Sequence, residues 1–314
     1  MIENFRLRVF RAVAHHLNFS RAAEELLLTQ PAVTQQIKAL EDEFGVSLFD
    51  RSGGRISLTP GGVALLPFAE QIKILGDDAI AAVSAAAGNN TGELLLGASQ
   101  TIGQYLLPNF IAGFLRAYPR VRVHARSGNT DQVLESLLRR EIQMALVEGP
   151  EQRKDIHIEP FMEDHLILVV PAAHEWADAE IDLEQLRSQP VLFREFGSGL
   201  RRVVEQALMA AGLKPRELNV PMELDTNEGL LNAVEAGLGV TFISRWAARY
   251  PLALGTLKVA RIRGLQLSRR FSMAYVAGPE PAGNIGAFRA FLRNAALESA
   301  PRPRRRAQAK APRR

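Results

Sequence analysis

Over roughly the first ninety residues apolar side chains recur at helical spacing. Beyond them, short apolar runs alternate with further helical stretches. Residues 4–15 place Phe5, Val9, Ala12 and Val13 on one face, with Arg6, Arg8 and Arg11 off it, which predicts a first helix. The polar break "NFS" ends it, and Ser20 is placed to cap a second helix, "RAAEELL", in which Ala22 and Ala23 allow close packing. "LLT" then breaks that helix. Thr29 is the next natural cap, with Pro31 in the first turn, where a missing N–H costs nothing. Val33, Ile37 and Leu40 follow at i, i+4 and i+7, the buried stripe of a third helix.

The other face of that third helix carries Gln30, Ala32, Thr34, Gln35 and Lys38. Gln and Thr side chains donate and accept at once, which reading base edges in a major groove requires, and Lys reaches a phosphate or a guanine. Two short helices joined by a tight turn, the second presenting such a face, predict a helix-turn-helix. "VSLFDRSGGRISLTPGG" extends it with two short strands, roughly 47–50 and 55–58, flanking "RSGG". Arg51 and Arg55 on this wing are placed to bracket a phosphate or enter a minor groove. The competing reading is a helical domain that docks on a protein. Residues 1–58 favour it in one respect, since they hold seven basic and seven acidic residues. The acids, however, cluster at Glu24–Glu25 and Glu41–Glu43, away from the Thr34–Lys38 face.

Residues 60–87 run on with little interruption, enough for a helix of roughly 40 Å. Leu65, Ala69, Ile72, Gly76, Ala79, Val83 and Ala86 form a heptad seam whose small members let two backbones approach. A dimerisation helix follows from that seam, and two helix-turn-helix units on one twofold axis read an inverted repeat. Packing as a linker on its own chain is the alternative. Pro67 predicts a bend or a late helix start. "AGNNTGE" (87–93) marks a boundary.

Strands and helices then alternate: "ELLLGA", "IGQYLLPNFIAGFLRAYP", "VRVHARS", "DQVLESLLRRE" and "MALVEG". That order predicts an α/β sheet with parallel strands. "HLILVVP" (165–171) opens a second, comparable set, so two lobes with a cleft between them are expected. Ligands of such sheets sit at the C-terminal ends of strands, beside helix N-termini. "ASQTIG" brings Ser99, Gln100 and Thr101 there, "SGNTD" brings Asn129, "REFGSGLR" brings Ser198, and "DTNE" brings Thr226. Each alone reads equally as a helix cap; together, in both lobes, they predict a site for a small anion or carboxylate. Glu148 in "VEGP" is expected to line it or to meet a ligand amine.

Composition narrows the chemistry. The 314 residues include no cysteine, which excludes disulfides, thiolate catalysis and Cys-ligated zinc. The six histidines offer no convincing metal-ligand pair by spacing, and no cofactor motif or catalytic set is present. A sequence pI near 9.6 misleads. Residues 299–314 hold six Arg and one Lys with no acid, so the rest of the chain carries about −3. Residues 298–314 are expected to be a disordered basic tail, solvated or in accessory contact with DNA phosphates. With no 18-residue apolar run and no leader-like N-terminus, a cytoplasmic protein without membrane association is expected.

The stretch "FRAVAHHLNFSRAAEELLLTQPAVTQQIKALEDEFGVSLFDRSGGRISLTPGG" resembles the winged helix-turn-helix of LysR-type transcriptional regulators, and the resemblance continues to about residue 297. "ASQTIGQYLLP", "SGNTDQVLESLL", "ALVEGP", "ILVVPAAH", "FREFGSGLR" and "AVEAGLGVTFISR" are similar to the cysteine- and sulfur-metabolism regulators of that family. The resemblance implies an α/β protein in which residues 1–59 bind promoter DNA and 60–88 dimerise. It implies that 92–297 form a bilobed effector domain like a type 2 periplasmic binding protein, with lobe I at about 92–161 and 270–297 and lobe II at about 162–269. It further implies a homodimer or homotetramer with effector contacts at Ser99 and Thr101 above all. The Arg-rich tail departs from the family pattern. A cytosolic small-molecule binding protein, or an enzyme with an accessory helical domain, is the alternative; the N-terminal module speaks against the first and the empty catalytic inventory against the second.

Overall fold

The computed structural model describes residues 4–52, 55–87, 89–149, 153–278 and 280–299; the basic tail beyond residue 299 lies outside the described residues. The N-terminal module comprises α1 (Phe5–His16), α2 (Phe19–Leu26), α3 (Gln30–Phe44) and a two-stranded wing, β1 (Phe49–Asp50) and β2 (Ser57–Leu58), paired antiparallel. Val33, Ile37 and Leu40 are buried as their spacing requires, against Val9, Phe10, Val13, Ala22 and Phe49. Phe5 departs from the expected stripe and is 45% exposed; Leu7 and Phe10 take the inward positions instead. Thr29 caps α3 with its hydroxyl on the Ala32 N–H. The cap of α2 is Asn18, not Ser20: its Oδ1 accepts from the N–H groups of Ser20 and Arg21 at 2.9 and 3.0 Å. The α2 helix therefore starts two residues earlier than a Ser20 cap would place it. Glu41 joins helix to wing, with Oε1 accepting from the Leu48 and Phe49 N–H groups.

A single helix, α4 (Pro60–Ala86), runs through Pro67 rather than starting after it. At about 1.5 Å per residue it spans roughly 40 Å. Its first turns belong to the N-terminal core through Ala69, Leu65 and Leu66, and the Arg11–Glu70 pair at 3.0 Å ties α1 to it. The expected seam splits. Ala69 and Gly76 turn inward, while Phe68, Ile72, Leu75, Ala79 and Val83 form an exposed row; the side chain of Ala86 lies outside the described residues.

The rest is one mixed sheet rather than an all-parallel one. Lobe I holds β3 (Gly92–Ser99), α5 (Gln100–Tyr105), α6 (Leu107–Ala117), β4 (Val121–Gly128), α7 (Thr130–Leu138) and β5 (Met144–Glu148). Its three strands are parallel, in the order β4-β3-β5. A 16-residue strand, β6 (Ile156–Pro171), then crosses into lobe II, and "HLILVVP" is only its second half. Lobe II follows with β7 (Glu180–Ile181), β8 (Val191–Arg194), α8 (Gly199–Ala210), β9 (Glu223–Leu224), α9 (Asn227–Glu235), β10 (Val240–Ser244), α10 (Arg245–Leu254) and β11 (Leu257–Ile262). The return crossing is β12 (Leu267–Val276), antiparallel to both β5 and β6, and α11 (Gly283–Ser299) closes lobe I. Two long antiparallel crossings explain the mixed sheet: a chain that leaves a lobe and comes back must run in both directions between them. Each lobe has its own core, one around Phe114, Phe271 and Phe288, the other around Leu192, Val204, Leu230 and Ile243.

Candidate functional sites: the interlobe cleft and the helix-turn-helix face

The loops that the sequence places at strand ends do converge between the lobes. Thr101, fully buried at the start of α5, stands at the centre. Its Oγ1 accepts from Asn227 Nδ2 of lobe II at 3.3 Å and from Arg269 Nη2 of the return crossing at 3.1 Å. Its N–H donates to Glu148 Oε1 at 3.2 Å. Arg269 also donates from Nε to Asp164 Oδ2 at 2.8 Å and pairs through Nη1 with Glu148 Oε2. Asp164 in turn accepts from Ser244 Oγ at 2.7 Å. Every one of these side chains is buried.

The charge balance of this cluster decides what it can bind. One guanidinium lies between two carboxylates, so it is not an open anion receptor. Burial pushes the Asp164 carboxyl above its ordinary value, outweighing the opposing pull of Arg269 and the Ser244 hydrogen bond. A second buried guanidinium, Arg194, is likewise engaged: by both Glu195 oxygens, by Asn227 Oδ1 at 2.8 Å and by the Asp225 carbonyl at 2.9 Å. Asn227 thus links Arg194 to Thr101 across the cleft. Tyr105, from lobe I, packs on the lobe II core, and burial raises its hydroxyl pKa to about 12.

The lobes also meet along the rim. Arg202 of α8 pairs with Asp131 of α7 at 2.9 Å, and the Asp131 N–H donates to the Gly197 carbonyl at 3.4 Å. Gly199 approaches the Glu148 carbonyl so closely that a Cβ would stand 2.0 Å from it.

The remaining expected contacts divide. Asn129 and Thr226 spend their side-chain oxygens as caps, on the Gln132 and Gly229 N–H groups. Gln100 is half-buried. Ser198 is buried without a cap bond. Ser99 Oγ, two residues before Thr101, is buried with no hydrogen-bond partner. Asp164, Arg194, Ser244 and Arg269 were not anticipated as site residues. A signal existed for two of them. In β12 the pattern Leu267, Arg269, Phe271 places an arginine on the inward face, and in β6 Asp164 falls two residues before the inward Leu166. A charge at a core position of an alternating strand needs a partner, and here each is the other's.

On the N-terminal module Gln30, Gln35 and Lys38 are exposed, and Ala32 and Thr34 half-buried, along one side of α3. Thr34 Oγ1 donates back to the Gln30 carbonyl at 3.0 Å and accepts from Gln30 Nε2 at 3.3 Å. Gln35 and Lys38, one turn apart, project together. On the wing, Arg51 stacks on the Phe19 ring, 4.7 Å from its centroid, with Glu41 at 3.6 Å, while Arg55 is exposed.

A helix-turn-helix with a wing, carried by a long helix and followed by a two-lobe domain with a polar interlobe site, is the architecture of an effector-responsive DNA-binding regulator. The chain belongs to the LysR family: its residues 5–63 match the bacterial regulatory helix-turn-helix of the lysR family and residues 87–297 match the LysR substrate binding domain. It is 31% identical over 281 residues to a probable RuBisCO transcriptional regulator of Trieres chinensis, covering 88% of this chain and 90% of that protein. It is 34% identical over 274 residues to the HTH-type transcriptional regulator CysL of Bacillus subtilis, covering 87% and 90%. Among solved structures, full-length CbnR complexed with its target DNA superposes with a TM-score of 0.66 at 26% identity, over 94% of this chain and 99% of that one. The protein is therefore a LysR-type transcriptional regulator with an effector-binding domain. Among the described residues no helix is long and apolar enough to cross a membrane.

Proposed function

We propose that this regulator is a cytoplasmic, non-enzymatic DNA-binding protein that works as a homodimer or homotetramer. Its α3 reads promoter DNA through Gln30, Ala32, Thr34, Gln35 and Lys38, with Arg51 and Arg55 gripping the backbone. A small anionic or carboxylate metabolite acts in the interlobe cleft, in sulfur or carbon metabolism given the similarity to CysL and to the RuBisCO regulators. The observation that carries this reading is Thr101, which receives hydrogen bonds from lobe II and from the crossing strand at one atom. A ligand that takes over those bonds removes a direct tie between the lobes.

The charged groups of the cleft already hold one another, so the effector remodels it rather than filling a vacancy. An entering oxyanion competes with Glu148 for the Thr101 N–H and for Arg269, and Ser99 Oγ and Ser198 supply further polar partners. Altered lobe closure is passed through α4 to the spacing of paired DNA-binding modules, which changes the DNA bend. Exposed Phe68, Ile72, Leu75 and Val83 on α4 are the surface on which two copies join.

The test is calorimetric titration of the full chain with sulfate, thiosulfate, O-acetylserine and 2-phosphoglycolate, repeated on Thr101→Ala. One of them should bind the wild type and lose its affinity in the variant, while promoter binding persists. Normal affinity in Thr101→Ala removes the cleft assignment.

A further inference from the structure

We propose that His15, His16 and Glu25 form a binding site for one divalent transition-metal ion, Zn(II), Ni(II), Co(II) or Cu(II), on the DNA-binding module. Spacing along the chain conceals it, because two adjacent histidines and a glutamate nine residues on show no ligand motif. The fold brings them together. The α1 helix ends at His16, Leu17 turns the chain in the left-handed conformation at φ 45°, and α2 starts again under the Asn18 cap. The last turn of α2, carrying Glu25, thereby comes to lie beside the last turn of α1. One ligand atom from each of the three residues lies within 4.8 Å of the others, the only such group among the described residues.

Two observations favour an ion there. First, the imidazole rings meet edge to face, with centroids 5.0 Å apart at 88°, so they do not stack and both can turn a nitrogen toward a shared point. His16 Nε2 already stands 2.6 Å from Glu25 Oε2, a contact that a metal ion can enter in place of a hydrogen bond. Second, α1 and α2 both present their negative C-terminal ends to this spot. The last turn of α2 carries Glu24 and Glu25 with no basic residue in that turn, so the helix dipole opposes its carboxylates and a cation relieves them.

The two imidazoles are borderline donors that select these ions over Mg(II) or Ca(II), and the hard carboxylate adds charge. Around a tetrahedral ion with bonds of roughly 2.0–2.2 Å, ligand atoms stand roughly 3.3–3.6 Å apart. The His16–Glu25 contact must therefore lengthen, while the other two, within 4.8 Å, settle to that spacing. His15 and Glu25 are exposed and His16 half-exposed, so those adjustments are side-chain rotations that disturb no packing. Water completes the shell. A bound ion clamps α1 to α2 and stiffens the support on which α3 stands.

The experiment uses tag-free, metal-stripped full-length protein, titrated calorimetrically with Zn(II) and Ni(II), with Mg(II) as control. Cu(II)-loaded protein is read by electron paramagnetic resonance for nitrogen hyperfine structure. One Zn(II) per chain is expected, with two nitrogen ligands in the copper spectrum. The double variant H15A/H16A should weaken Zn(II) binding by about 100-fold or more, beyond the ~10–100-fold that loss of a merely supporting partner causes. Glu25→Gln should weaken it less and leave the nitrogen signature intact. Unchanged thermal unfolding of the stripped variants would show that the fold is kept. No saturable Zn(II) binding by the wild type, or equal affinity in H15A/H16A (an adventitious ion only), overturns the proposal.

Discussion

Gly199 at the start of α8 lies against the Glu148 carbonyl across the cleft, where a Cβ would approach that oxygen to 2.0 Å and Thr130 Oγ1 to 2.7 Å. Two backbones from different lobes are thus in direct contact, and one can retreat only if the lobes separate. Gly199→Ala should lower stability by about 1–3 kcal/mol, the usual cost of overpacking, and should hold the lobes apart. Urea unfolding checks the first. Small-angle scattering, which should report a larger radius for the variant, checks the second; an unchanged radius would show that the contact does not set closure.

Arg269 is shared between two buried carboxylates. Arg269→Met leaves Glu148 and Asp164 buried without a cation, so a loss of about 3–5 kcal/mol is expected. Adding Glu148→Gln and Asp164→Asn should restore much of it, because the triple variant carries no unpaired charge. Denaturant melts of the two variants settle the point.

Asp164 supplies a pH dependence. Its carboxyl ionises in the unfolded chain near the ordinary value of 3.8 and at a higher value when folded, because burial dominates. Between the two values the folded state keeps a proton that the unfolded state has released. The stabilisation is present in full below the ordinary value and is lost as pH rises through the folded one. Asn resembles the protonated acid at every pH, so Asp164→Asn should gain stability relative to wild type as pH rises. A difference between the two melting curves that stays constant with pH would contradict this.

Gln35 and Lys38 project from the same side of α3 and should fail differently. Gln35→Ala should cost about 1–3 kcal/mol on the promoter and relax discrimination between promoter and random duplex. Lys38→Ala, if the contact is to phosphate, should weaken both and reduce the salt dependence by about one counterion. Gel-shift titrations at several salt concentrations separate the two, and unchanged affinity in both variants would remove the contact assignment.

Leu75 is 65% exposed on the α4 row. Leu75→Asp should shift the protein toward monomer in sedimentation while the folded content by circular dichroism stays the same. Retention of the oligomer would move the joint to another face.

Much of this molecule was legible in residue order because local rules govern it. The stripe of Val33, Ile37 and Leu40, the Thr29 cap and the strands ending at Ser99 and Glu148 depend on periodicity and neighbours within a few positions. The family was legible for the same reason, in contiguous motifs. What residue order alone left open is long-range. Asp164 and Arg269 are 105 residues apart, and only the antiparallel pairing of β6 with β12 sets them side by side. The expected anion receptor proves to hold its own counter-charges, and His15, His16 and Glu25 meet only because α1 turns back on α2. Backbone propensity acts over a turn or two, whereas pairing of charge and ligand acts through space; the first is written in the chain, and the second exists only once the chain has closed on itself.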